Sequence, residues 1–291
     1  MNLDRLKIFH AVAKFQSFTR ASEKLFLTQP GISKHIKLLE EFYGTTLFDR
    51  LGKKIALTQA GKILYEATKD IFSLIDEAKA RIDDIEGLAT GALKVGASFT
   101  IGIYIAPDFL AEFRNQHPNI SVSLDISLSR HIVNKVRRNL LDVGLVGAPP
   151  KDEKLISARV LMDELVVIIP HDHKWANRKK LRPKELTEQP FILSKVGSGT
   201  RQTIMDRLKN NGVILKNYLE FGNTEAVKKA VESGLGISIL SKYVVSREVE
   251  AGLLVAIPLS KIDLMRGIFL IYHKDKYLTN TIRSFMDLFE L

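Results

Sequence analysis

The sequence has 291 residues, 45% of them hydrophobic, and its 43 Lys and Arg outnumber its 33 Asp and Glu to give a formal net charge of +10. This length allows two or three domains that each bury a core, and the composition is that of a globular protein. There is no Cys, which excludes disulfides, thiolate catalysis and zinc-thiolate or iron–sulfur sites.

The hydrophobic pattern predicts no membrane segment and no secretory signal. The longest apolar runs, such as 165–170, have the length of a strand and fall short of a bilayer span. The N-terminus places Asp4, Arg5 and Lys7 among its apolar residues, which interrupts the stretch that a signal peptide needs. We therefore expect a cytoplasmic protein without a membrane partner.

The charge is unevenly distributed along the chain. Residues 1–62 contain 11 basic and 5 acidic side chains, residues 63–88 contain 3 and 7, and the remainder contains 29 and 21. A basic surplus of this size favours a polyanion as the partner, although a basic enzyme has a similar balance.

The first sixty residues have the pattern of short helices separated by polar turns. Apolar residues recur at helical spacing between Leu3 and Ala13, and Thr19 is a suitable N-cap for a second helix over 20–25. Thr28 can cap a third helix, and Pro30 falls in its first turn, where a missing N–H costs little.

The third predicted helix, which runs to about residue 41, has one apolar and one polar face. Ile32, Ile36 and Leu39 are spaced i, i+4, i+7 and are expected to face the core. Polar and basic side chains of the opposite face can bond base edges in the major groove or phosphate oxygens. This pattern predicts double-stranded DNA as the partner, contacted by Thr28, Gln29, Pro30, Ser33, Lys34 and Lys37, with Lys53 and Lys54 in a β-hairpin wing.

From Thr58 the pattern predicts a helix of about thirty residues, ending near Gly87 and Gly91. Its apolar residues alternate in steps of four and three, which is typical of a coiled-coil seam: Ile71, Ile75, Ala78, Ile82, Ile85 and Ala89. The alternative is a long helix that packs on its own domain; the acidic residues beside the seam favour a solvated helix pair.

Beyond Gly91 apolar strand-like runs alternate with amphipathic helices, which predicts βαβ units and a parallel or mixed sheet. The predicted strands are 93–97, 121–126, 143–146, 165–169, 191–193, 213–221, 237–240 and 268–272. The predicted helices are 105–115, 132–140, 200–210, 224–233 and 279–289.

These segments resemble the LysR-type transcriptional regulators along essentially the whole chain. The helix-turn-helix resemblance rests on SFTRASEKL (17–25) and TQPGISKHIKLLEE (28–41), and that of the wing and linker on LFDR (47–50) and LTQAG (57–61). The effector-domain resemblance rests on GALKVG (91–96), PNI (118–120), LDVGL (141–145) and VESGLGI (231–237). The sequence departs from the family at Gln16, where glycine is frequent, and at Ser22 and Gly31, where alanine is usual.

The resemblance implies an α/β protein: an N-terminal all-α winged helix-turn-helix at 1–60, a linker or dimerisation helix at 61–90, and a two-lobed effector domain at 91–291 that is like a periplasmic binding protein. It places lobe 1 at about 91–163 and 267–291, and lobe 2 at about 164–266. It also implies a homodimer through the linker helix, commonly a homotetramer on promoter DNA, with Arg50 in the wing contacting DNA and RNA polymerase as a further candidate partner.

The resemblance also implies a cleft between the lobes that binds a small effector. Hydroxyl groups and free N–H groups at helix N-termini can bind an anion or carboxylate without a buried countercharge. Arg201 can clamp a carboxylate with two hydrogen bonds, and Thr224 is expected to cap the helix that follows it. The matching residues are Ser98, Thr100, Ser129, Gly147, Ser198, Gly199, Thr200, Arg201 and Thr224.

Other chemistries have weaker support. His171 and His173 have a spacing that metal ligands can use, but they follow a strand and no third ligand is near in sequence. The sequence predicts no catalytic residue, no metal site and no cofactor. Two alternatives remain: a solute-binding sensor or enzyme whose N-terminal helices serve only for assembly, and a purely structural oligomerisation protein.

Overall fold

The computed structural model describes residues 2–51, 54–85 and 91–291, and for residues 50, 51, 54 and 85 it describes the backbone alone. The chain forms two compact units, Met1–Ala80 and Arg81–Leu291. In the described parts of the chain, no helix is both long enough and apolar enough to cross a bilayer.

The first unit begins with three helices, α1 (Leu3–Phe15), α2 (Phe18–Leu25) and α3 (Gln29–Tyr43). An antiparallel hairpin of β1 (Phe48–Leu51) and β2 (Lys54–Leu57) follows. The apolar faces of these elements share one core, whose most buried side chains include Phe9, Val12, Ala21, Ile32 and Leu39.

The helix caps confirm one sequence prediction and correct another. Thr28 caps α3 as predicted, because its Oγ1 accepts a hydrogen bond of 3.2 Å from the Gly31 N–H. The prediction that Thr19 caps α2 is wrong: Ser17 Oγ accepts the Arg20 N–H at 3.2 Å. The backbone of Ser17 is extended (φ −158°, ψ 124°), as an N-cap requires, so the helix begins at Phe18.

The hairpin leads directly into α4 (Gln59–Ile85), a helix of 27 residues. Gly61 allows the close approach of this helix to the preceding chain, because a Cβ at Gly61 would lie 2.0 Å from the Leu47 carbonyl oxygen. Several large apolar side chains of α4 face solvent in the single chain: Ile63, Leu74, Ile75 and Ile82. Of the predicted seam, Ala89 and the side chain of Ile85 lie outside the described parts.

The second unit is an α/β domain of two lobes. In chain order its elements are β3 (Gly91–Ser98), α5 (Phe99–Tyr104), α6 (Ala106–Gln116), β4 (Ile120–Ser127), α7 (Ser129–Arg137), β5 (Val143–Val146), β6 (Leu155–Pro170), a 3₁₀ helix (Pro183–Glu188), β7 (Phe191–Ser194), α8 (Gly199–Asn210), β8 (Tyr218–Phe221), α9 (Thr224–Glu232), β9 (Ser238–Ser241), α10 (Lys242–Glu250), β10 (Leu254–Ile257), β11 (Met265–His273) and α11 (Asn280–Asp287).

Lobe 1 is built on parallel strands, with β3 between β4 and β5. The long strands β6 and β11 connect the lobes. They pair antiparallel from Leu155 opposite His273 to Glu164 opposite Met265, and β6 then continues into lobe 2, where it pairs with β9 and β10. Along β6 the side chains pass from the core of lobe 1 at Leu161 to that of lobe 2 at Leu165.

This architecture confirms the predicted fold class and contains most of the predicted elements. The helix predicted over 105–115 is α6, whereas α5 before it was not predicted, and the strand predicted over 213–221 is limited to β8 (Tyr218–Phe221). The strand predicted over 165–169 is the second half of β6, whose first half is only partly buried and therefore lacks a continuous apolar run. The helix α10 and the strand β10 were not predicted.

Candidate DNA-binding helix and effector cavity

The helix α3 has the two faces that its sequence predicts. Ile32, Ile36 and Leu39 are buried, with at most 3% of their surface exposed. On the other side Ser33 is half-buried, and the remaining predicted contacts are exposed: Thr28, Gln29, Pro30, Lys34 and Lys37. The Lys37 ammonium lies 4.0 Å from the Glu41 carboxylate, with 79% of its side chain exposed. This helix therefore presents hydroxyl, amide and ammonium groups to solvent.

The predicted wing is present as a backbone hairpin. Arg50 lies in β1 opposite Ile55, and Lys54 lies in β2 opposite Leu51. Lys53 lies outside the described residues, and the side chains of Arg50 and Lys54 are outside them as well.

A hydrogen bond joins α4 to the helix-turn-helix. His10 Nδ1 of α1 lies 2.9 Å from Thr68 Oγ1 of α4, and the His10 ring packs against Tyr65 and Phe72. Burial, together with the nearby charges of Lys14 and Lys69, lowers the pKa of His10. The neutral imidazole of His10 therefore links α1 to the first half of α4 through Thr68.

A cavity lies between the two lobes of the second unit. With its open mouth it contains about 570 Å³ of empty space. Eight of the nine predicted effector residues line it: Ser98, Thr100, Ser129, Gly147, Ser198, Gly199, Thr200 and Thr224.

Four helices begin at this cavity. The first residues of α5, α7, α8 and α9 all line it: Phe99, Ser129, Gly199 and Thr224. The first N–H groups of a helix have no partner within the helix and carry its positive dipole end. Among the described residues, those that line the cavity include no Asp and no Glu. The cavity therefore favours the binding of a negatively charged group.

The predicted role of Thr224 as a helix cap is wrong. Asn223 is the N-cap of α9, since its Oδ1 accepts the Ala226 N–H at 2.8 Å. Thr224 is the first residue of the helix and is buried against the cavity.

The predicted role of Arg201 as a clamp in the cleft is also wrong. Its guanidinium donates to the Ser194 carbonyl at 2.9 Å, forms an ion pair with Glu220 and lies over the Tyr218 ring. Ser198 accepts the backbone N–H of Arg201 at 3.4 Å. The side chain therefore leads toward β8 and is absent from the cavity lining.

A different arginine lines the cavity, and the sequence reasoning missed it. Arg266 Nη1 donates to Thr200 Oγ1 at 2.8 Å, and its Nε donates to Asp163 Oδ2 at 2.7 Å. Asp163 is fully buried and also accepts from Ser241 Oγ at 2.7 Å. Because Asp163 balances the charge of Arg266, the guanidinium acts mainly as an oriented hydrogen-bond donor.

Two further cavity residues were not predicted. The Oγ of Ser127 is buried and has no hydrogen-bond partner in the described structure, so it is available to a ligand. Lys195 is exposed in the lining and brings a positive charge. Ser127 is the last residue of β4 and Lys195 directly follows β7, and this position at a strand end is the signal that could have indicated them.

The lobes approach each other across the cavity. Thr100 Oγ1 of lobe 1 lies 3.5 Å from Thr200 Oγ1 of lobe 2. A Cβ at Gly199 would lie 3.5 Å from Ser129 Oγ. A small ligand between these residues can therefore contact both lobes at once.

Comparisons with known proteins identify the family of both domains. The family model of the bacterial regulatory helix-turn-helix protein, lysR family, matches residues 3–62, and that of the LysR substrate binding domain matches residues 86–290. The HTH-type transcriptional activator CmpR of Synechocystis sp. is 36% identical over 285 residues, which cover 98% of this chain and 93% of CmpR.

Two solved structures share the fold. CbnR in complex with its target DNA has a TM-score of 0.78 at 20% identity, covering 100% of this chain and 99% of CbnR. The regulatory domain of Synechocystis CcmR in complex with 2-PG has a TM-score of 0.64 at 28% identity, covering 69% of this chain and 96% of that domain.

The chain is thus a transcriptional regulator that binds DNA and contains an effector-binding domain, and it is not an enzyme. It belongs to the LysR family, as the sequence resemblance indicated.

Proposed function

We propose that this regulator reads a specific DNA sequence with α3 and changes its action on promoter DNA when a small anion binds between the lobes. The observation that carries the effector part of this proposal is the convergence of four helix N-termini on a cavity whose described lining contains no carboxylate. We propose that the DNA-binding domain is 1–60, the linker helix 61–90 and the effector domain 91–291. We also propose that the protein acts in the cytoplasm.

The proposed DNA contacts are those of the exposed face of α3 and of the wing. Hydroxyl and amide groups such as Ser33 and Gln29 suit base edges, and Lys34 and Lys37 suit a guanine or a phosphate. The wing residues proposed to contact the backbone or the minor groove are Arg50, Lys53 and Lys54.

A footprint on genomic DNA tests this reading helix. Replacing Ser33 and Lys34 with Ala is expected to abolish protection, because it removes a base contact and a charge contact from the same face. Lys209→Ala, an exposed change in α8, is the control and should leave protection intact. Protection that survives the double change would show that another element reads the DNA.

The proposed effector is a small anion or carboxylate. CcmR, whose regulatory domain binds 2-PG, is similar enough to make 2-PG a reasonable first probe, next to inorganic phosphate and sulfate. The unpartnered Ser127 hydroxyl and the N–H groups at Ser129 and Thr224 are the expected donors, and Lys195 adds a charge at the lining.

Thermal shift measurements test the effector site. A ligand present at a hundred times its dissociation constant stabilises the folded state by about 2.7 kcal/mol. Ser127→Ala combined with Lys195→Ala removes the hydroxyl donor and the positive charge from the lining and is expected to remove most of the shift that a bound anion produces, whereas Arg201→Ala, outside the lining, should retain it. If the cavity variant kept the shift and Arg201→Ala lost it, the anion would bind outside this cavity.

Self-association is the third part of the proposal. LysR-family regulators form oligomers, and the exposed Leu74, Ile75 and Ile82 of α4 supply an apolar stripe for a homodimer. Two such dimers would form the proposed tetramer. RNA polymerase is a further proposed partner at promoters where the bound regulator activates transcription.

A further inference from the structure

Lobe 2 carries a strongly basic segment that takes no part in the lining of the effector cavity. This basic segment, residues 174–184, contains six basic and no acidic residues. It lies in the connection from β6 to β7. Strand β7 starts at Phe191, which shares a core with Trp175 of the segment, and ends at Ser194, which lines the cavity. The segment is therefore separate from the effector site.

The backbone of the basic segment is firmly anchored. Trp175 is only 6% exposed and Leu181 is fully buried, both in the main core of lobe 2. The Leu181 N–H donates to the Pro258 carbonyl at 3.1 Å, and its carbonyl accepts the Ser260 N–H at 2.8 Å. Anchoring lowers the conformational entropy that is lost when charged side chains meet a partner.

Glu185, the residue that follows the basic segment, forms hydrogen bonds with residues of that segment. Glu185 accepts two hydrogen bonds from Arg178, at 2.7 and 3.2 Å, and one of 2.7 Å from the Arg182 N–H. These hydrogen bonds, that of the Arg178 side chain first, lower the pKa of Glu185 to about 2. Glu185 is therefore ionised and holds the backbone at Arg182 by a hydrogen bond. Its negative charge mainly balances that of Arg178.

The other basic side chains of the segment point to solvent. Lys174, Lys179, Lys180 and Lys184 are exposed, and in the described structure no ion pair involves any of the four. The Arg182 side chain is 78% exposed, and its guanidinium lies 3.6 Å from the Glu185 carboxylate. A rigid backbone thus presents four lysines that have no ion pair in the described structure, with Arg182 beside them.

We propose that the basic segment binds the phosphate backbone of DNA that flanks the sequence read by α3. Lysine ammonium groups act as point charges that suit phosphate and carry little base specificity. DNA is the favoured polyanion because the helix-turn-helix already holds the protein on it, so the flanking duplex is present at high effective concentration. The proposal is independent of which effector binds.

Binding of purified full-length protein to two duplexes tests this proposal. One duplex is trimmed to the sequence protected by α3, and the other carries the same sequence with long natural flanks. The variant is Lys179→Gln, Lys180→Gln and Lys184→Gln. Its matched control, Lys209→Gln, Lys216→Gln and Lys274→Gln, removes the same charge from exposed positions elsewhere in the second unit.

On the long duplex the wild type is expected to lose affinity with salt more steeply than the variant. Three lost phosphate contacts flatten the slope of log K against log salt by about 2.7, which is about a 40-fold difference in the affinity lost between 50 and 200 mM salt. On the trimmed duplex the two proteins should match, and the control triple should follow the wild type on both.

Two results would overturn the proposal. Equal slopes for the wild type and the variant on the long duplex would show that the segment does not touch DNA, as expected if its partner were an acidic protein. Equal flattening by the control triple would show a diffuse effect of net charge.

Discussion

Gln16 ends α1 in the left-handed backbone region, with φ 48° and ψ 36°. A non-glycine residue is disfavoured there because its Cβ crowds the following carbonyl, at a cost of about 1 kcal/mol. Gln16 is exposed, and in the described structure its side chain makes no hydrogen bond that would compensate for this cost. The sequence already marked this position, because LysR-type regulators frequently have glycine here.

Gln16→Gly is therefore expected to stabilise the first unit by at most about 0.5 kcal/mol, after the greater freedom of glycine in the unfolded chain is subtracted. Hydrogen exchange of the α1 amides in the full-length protein measures this local stability. Gln16→Ala keeps the Cβ and should give no gain. A gain as large for Ala would assign the effect to the Gln side chain instead.

The two arginines of the effector domain show what residue-level reasoning can and cannot predict. The Ser, Thr and Gly residues of the cavity were predicted through the family resemblance, which rests on short local segments of the sequence. Arg266 was not, because its role depends on Asp163, 103 positions earlier in the chain. Arg201 was misjudged for the same reason, since its partner Glu220 belongs to a neighbouring strand.

At the scale of elements, burial on both faces explains why only the second half of β6 was predicted. The second half of β6 is buried on both sides and has a continuous apolar run, whereas its first half alternates between exposed and partly buried positions. The 3₁₀ helix Pro183–Glu188 had no apolar signal, and it depends on one ionised carboxylate, Glu185.

The ion pair of Glu185 predicts a pH dependence for this element. The folded state lowers the pKa of Glu185 from its ordinary 4.5 to about 2, so the stabilisation is complete above 4.5 and is lost as the pH falls through 2. Glu185→Gln should therefore destabilise lobe 2 at neutral pH, and the difference from wild type should shrink between pH 4.5 and 2. Urea unfolding followed by Trp175 fluorescence measures it.

Glu188→Gln, an exposed change at the end of the same 3₁₀ helix, is the control and should leave stability nearly unchanged. A constant difference between wild type and Glu185→Gln down to pH 2 would mean that the carboxylate charge is not what holds the segment.

For the whole molecule, we expect that a charged side chain in the apolar stripe of α4 prevents the homodimer from forming. Ile75→Asp is expected to shift the protein toward the monomer at micromolar concentration, because it buries a carboxylate in an apolar helix pair. Ala80→Asp adds the same charge about 140° around the helix and should leave the assembly intact. Light scattering after size exclusion gives the mass, and an unchanged mass for Ile75→Asp would place the dimer contact elsewhere.

The two strands that cross between the lobes restrict how an effector can be sensed. Sliding β6 along β11 by one residue would turn its buried side chains to solvent and its exposed ones inward, so translation of one lobe past the other is ruled out energetically. Small torsional changes around Asp163 and Arg266 preserve the ladder. A movement of the lobes that keeps this ladder is therefore a rotation about the two-stranded ribbon, which carries Arg266 of the cavity lining and its partner Asp163.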